Sequence, residues 1–227
     1  SGVQENVDYD LLLSFDGNEV TAMLDGNIFG QAAFETSWEN NEEFLQIGAN
    51  GWASDAGESG FTHVFDGTIS DVIVTEGVKS YEEVQSILAG EPAPNPTPTP
   101  QPEPTPQPDS EPVLDTDQTP LEGAVYSLIG SHEVNAANNV IEIAHSEEFS
   151  LPEATIALTF NADTVSGYHG LLSKDATEYT GGGNHFTSYI KNGTLVVRFQ
   201  DGSSSKEFTM SGVQENVDYD LLLSFDG

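Results

Sequence analysis

Val7-Asp8-Tyr9-Asp10-Leu11-Leu12-Leu13-Ser14-Phe15 places an apolar residue at every odd position. That period of two is the pattern of a strand with one face in a core and the other towards water. Asp16-Gly17 follows as a turn, Glu19–Leu24 reads as the next strand, and Asp25-Gly26 turns again. The same stretch recurs far along the chain. Ser1 to Gly17 and Ser211 to Gly227 read the same seventeen letters, SGVQENVDYDLLLSFDG, at an offset of 210 residues. Chance does not produce identity over that length. The chain is either a window on a tandem array with a period near 210 residues or a circular permutant whose ends overlap.

Further strands are expected at Phe44–Gly48, Gly67–Val74, Val140–Ile143, Ala154–Phe160, Gly170–Ser173, Phe186–Ile190 and Thr194–Phe199. Asn192-Gly193 joins the last two as a two-residue hairpin turn. Tyr81–Leu88 carries one short helical pattern, with Tyr81, Val84 and Leu88 on one side. Many short strands with almost no helix predict an all-β antiparallel sandwich or jelly roll. Glu91 to Gln118 alternates proline with Thr, Gln, Asn and Glu. It offers no apolar face and favours extended polyproline II, so it reads as a linker. The expected division is therefore 1–90, a linker at 91–118, and 119–227, with 211–227 duplicating 1–17.

The 227 residues include 38 acidic and 5 basic ones, a formal net charge of −33, and 37% are hydrophobic. Such a field repels phosphate backbones and anionic lipid surfaces and attracts cations. A nucleic-acid partner is not expected. The carboxylates serve either solubility or, in part, cation binding. With no cysteine there is no disulfide framework, thiolate metal site or cysteine nucleophile. No apolar run approaches a membrane span, so membrane insertion is not expected. Ser1 to Asn6 has neither the basic region nor the apolar core of an export signal, which is expected to lie outside these residues.

Taken in the order 119–227 then 18–90, the sequence resembles a bacterial laminin-G-like, concanavalin-like jelly-roll domain. Asn139–Ile143 and Glu153–Leu158 are similar to that family's first core strands. Gly170-Leu171-Leu172-Ser173-Lys174-Asp175 followed by Gly182-Gly183-Asn184-His185 resembles its lysine-aspartate and double-glycine loop. Thr194–Gln200 resembles the strand after its hairpin. Phe225-Asp226-Gly227, or equally Phe15-Asp16-Gly17, precedes Met23-Leu24-Asp25-Gly26, similar to its turn. Leu45–Ala49 and Phe65–Val72 resemble its closing strands, and Tyr81–Leu88 its final helix. The chain departs from the family in two ways. Val217-Asp218-Tyr219 stands where a tryptophan-histidine-histidine is common, and the motif order is circularly permuted.

The resemblance implies that the loop from Lys174 to His185 lies at a sheet rim. There Asp175 and Asn184 are candidate calcium ligands, met by Asn50 and Asp55 from the loop Gly48–Asp55, with Asp71 a second candidate near a closing strand. Calcium needs six to eight hard oxygens; the structural alternative is that Asp175 pairs with Lys174 or caps a turn. Trp52 and Tyr179 are candidate platforms for a sugar ring, beside His185 and Arg198, the only arginine. Each has a structural alternative, as core filler or ion-pair anchor.

Catalytic patterns are poorly represented. Asp8-Tyr9-Asp10 lacks the third acid of a glycosidase strand, and a solvated outer face explains it better. His63, His132, His145, His169 and His185 form no HExxH, and Gly181-Gly182-Gly183 has no following Lys-Ser/Thr. The expectation is a non-catalytic, secreted or cell-surface module that binds carbohydrate or a cell-surface glycoconjugate in adhesion, assisted by calcium. The alternatives are a ligand-free structural spacer and a carbohydrate-active enzyme on the same fold. Two copies of one strand compete for one slot, so strand-swapped self-association is a further expectation.

Overall fold

A computed structural model describes residues 19–39, 41–50, 63–90, 119–136, 139–174, 185–201 and 204–225. The first copy of the duplicated segment and the proline-rich stretch lie outside the described residues, as do Trp52, Asp55, Asp175, Tyr179 and Asn184.

The described chain is all-β. In order it runs β1 (Glu19–Leu24), β2 (Asn27–Ala33), β3 (Leu45–Ile47), β4 (Gly67–Glu76), α1 (Tyr81–Leu88), β5 (Tyr126–Val134), β6 (Ile141–Ile143), β7 (Ala154–Ala162), β8 (Tyr168–Lys174), β9 (His185–Lys191), β10 (Thr194–Gln200), β11 (Ser205–Ser211) and β12 (Asp218–Phe225). Two six-stranded antiparallel sheets result, one ordered β2-β1-β12-β7-β4-β5 and the other β11-β10-β9-β8-β3-β6.

Alternation decides which face each strand buries. On β12, Tyr219, Leu221, Leu223 and Phe225 are at most 1% exposed, whereas Asp218 points to water. On β10, Leu195, Val197 and Phe199 enter the same core. One apolar cluster therefore draws on both sheets. Trp38 bridges them, its ring 6.3 Å from Phe186 of β9 and 5.1 Å from Phe225 of β12.

Local turn chemistry sets the hairpins. Asp25 and Gly26 have φ of 54° and 70° between β1 and β2, and Asn192 and Gly193 have 49° and 73° between β9 and β10. Both loops keep φ positive at their two residues, the twist that two-residue hairpins need. Helix α1 opens with a capping box: the Ser80 hydroxyl accepts from Glu83 N and Ser80 N donates to Glu83 Oε2 at 2.7 Å. Val84 and Ile87 anchor the helix to the core.

Candidate binding face

The outer face of the second sheet gathers the described candidates for ligand contact. Phe186, Ser188 and Ile190 of β9 turn inward, so His185, Thr187, Tyr189 and Lys191 turn outward. On β10 the same parity sends Val196, Arg198 and Gln200 outward. Strand register then lines up one row across the sheet: Glu207, Arg198, Thr187, Ser173, Gln46 and Glu142 are successive partners. All six are polar, and they come from six different strands.

This row is partly wired. Gln46 Nε2 donates to Glu142 Oε1 at 3.0 Å. Ser173 Oγ lies 3.2 Å from Ala49 O and 3.4 Å from Gln46 Oε1, either of which can accept its single proton. Arg198 donates from Nη2 to Gln200 Oε1. It is also the register partner of Glu207, an arrangement that favours cross-strand charge pairing. Thr187, 2% exposed, has no hydrogen-bond partner for its hydroxyl. A buried unpaired hydroxyl costs free energy, so it calls for an explanation.

Beside the row lies an aromatic patch. Tyr168 stacks on Tyr189 at 6.0 Å, His63 packs 5.1 Å from Tyr168, and the Lys191 ammonium lies 4.8 Å over the Tyr168 ring. Burial, then the Glu207 charge, raises the Tyr189 phenol pKa. Burial, then the His169 charge, lowers that of His63. The Ala49-Asn50 backbone crosses this face at Gly170, where an added Cβ would come within 2.2 Å of Asn50 N. Only glycine admits so close an approach. The crossing places Asn50 beside the strand that pairs with Tyr189.

The remaining candidates lie elsewhere. Asp71 belongs to a bulge in β4, with φ of 51°, and its carboxylate accepts from Gly130 N at 3.0 Å. It lines a pocket of about 330 Å³ between α1 and the outer face of the first sheet, shared with Gln85, Thr159 and Asp220. Asp220 accepts from Thr159 Oγ1, and Asp218 from Asn161 Nδ2 at 2.7 Å. Among the described residues no three acidic or histidine side chains cluster as a metal site. No described helix is long and apolar enough to cross a membrane.

Lys174 is the feature that sequence reading missed. Its inward position on β8 buries it completely. The ammonium donates to Asn41 O and Glu43 O at 2.7 Å each and to Asn41 Oδ1 at 3.3 Å, with the Trp38 ring centre 5.7 Å away. Asn41 returns a bond to Lys174 O at 2.9 Å. Burial pushes the Lys174 pKa down to about 8. The signal was strand parity, which aligns Lys174 with inward Phe186. Compared with protein-family models, curated proteins and solved structures, the chain matches none.

Proposed function

We propose that this chain is a non-catalytic extracellular module of laminin-G-like, circularly permuted jelly-roll type that binds glycan on the outer face of its second sheet. The carrying observation is the row from Glu207 to Glu142, in which Glu207, Arg198 and Glu142 reach solvent while Thr187, Ser173 and Gln46 are buried between them. Sugar hydroxyls both donate and accept, so they suit a surface of guanidinium, hydroxyl and amide groups. The Tyr168–Tyr189 patch adds flat apolar area for C–H faces of a ring. Calcium is proposed as an auxiliary near Asn50, which is buried where the chain crosses Gly170 of β8. A secreted or cell-surface setting fits the strongly acidic composition.

The test is a glycan array probed with the folded chain and with Arg198→Ala. Retention of a defined glycan, lost in the variant, supports the reading. A folded chain that retains no sugar would sink it. The duplicated segment and the proline-rich stretch favour one second reading, a tandem spacer unit without a ligand, which predicts that blank array. For an enzyme, Asp218 and Asp220 are the residues to substitute, together with Asp8 and Asp10.

A further inference from the structure

We propose that the slot filled by β12 is a site for either copy of the duplicated segment, so that residues 8–15 substitute for 218–225 in the same register. This goes beyond the glycan reading and does not depend on it.

The slot is demanding. β12 lies third in its sheet, between β1 and β7, so the β1–β2 hairpin reaches the rest of that sheet only through it. Its inward residues Tyr219, Leu221, Leu223 and Phe225 are all at most 1% exposed. An empty slot would expose that core and leave two strand edges unpaired. Residues 9, 11, 13 and 15 present the same four side chains in the same order.

Register makes the substitution stereochemically direct. Phe225 pairs with Val20, and Leu221 with Leu24, in an antiparallel ladder. Phe15 is the counterpart of Phe225, since 225 − 210 = 15. Pairing Phe15 with Val20 leaves Asp16-Gly17-Asn18-Glu19 as the connection. Four residues is an ordinary hairpin loop, and an Asp-Gly pair suits its turn. Thus the first copy is tethered to the β1 side of the slot, and the second reaches it from β11. Every contact that β12 makes through residues 218–225 is available to residues 8–15, because the letters are identical.

The experiment uses the full chain. Leu11→Asp with Leu13→Asp disables the first copy, Leu221→Asp with Leu223→Asp the second, and the quadruple variant both. Thermal unfolding by near-ultraviolet circular dichroism is expected to show a cooperative transition near the parent's in each double variant. In the quadruple variant it is lost. If disabling the second copy alone abolishes the transition as fully as the quadruple change, the proposal is overturned. Loss of the transition when only the first copy is disabled overturns it equally.

An engineered crosslink reports which copy is seated. Thr21 pairs with Ser224, whose counterpart is Ser14, and the chain has no cysteine of its own. Thr21→Cys with Ser14→Cys, placed on the Leu221→Asp/Leu223→Asp chain, is expected to close an intramolecular disulfide under mild oxidation. Failure to close it in a folded chain overturns the proposal.

Discussion

Lys174 holds its ammonium 2.7 Å from the carbonyl oxygen of Glu43, inside the fold rather than at its acidic surface. In a chain of net charge −33, one of its five basic side chains faces backbone carbonyls and a tryptophan ring. The clamp ties Asn41 and Glu43 to β8.

That burial predicts a pH signature. The folded pKa of about 8 lies below the usual value of 10.5. Below about 8 both states carry the proton and the burial penalty is fully present. Between these values the unfolded chain binds more protons, so stability rises with pH. In urea unfolding, the parent should gain of order 1–3 kcal/mol over Lys174→Met across this window. Parallel profiles for the two chains would remove the depressed pKa.

Thr187→Val should raise stability by about 1 kcal/mol, because it removes a buried hydroxyl that has no partner. A drop in the urea midpoint would mean that the hydroxyl is satisfied after all.

Gly170→Ala should cost about 1–3 kcal/mol or more. The added Cβ would meet Asn50 N at 2.2 Å and Ala49 C at 2.3 Å, both backbone atoms that cannot rotate aside. An unchanged unfolding midpoint would show that the 49–50 crossing does not rest on β8.

Millimolar calcium should raise the melting temperature relative to EDTA. A ligand at a hundredfold excess over its dissociation constant stabilises the folded state by about 2.7 kcal/mol. Asn50→Ala should reduce the rise. A flat response in the parent removes calcium from the proposal.

What the sequence determined by itself is local. The period-2 run of the duplicated segment located β12, strand-like runs located β1, β3, β4 and β6–β10 to within a few residues, and the helical spacing of Tyr81, Val84 and Leu88 located the helix. Asp25-Gly26 and Asn192-Gly193 marked their hairpins because positive φ at two adjacent positions demands those residue types. The three strands it missed, β2, β5 and β11, are all sheet edges. Ile28 and Ile129 are about half exposed there, at 54% and 47%, so apolar alternation is weak. Only the tertiary structure decided the rest. Which strands become neighbours depends on whether inward faces complement one another across long sequence separations, and no local pattern carries that. Register therefore assembled the row from Glu207 to Glu142, seated β12 between β1 and β7, and turned Lys174 inward.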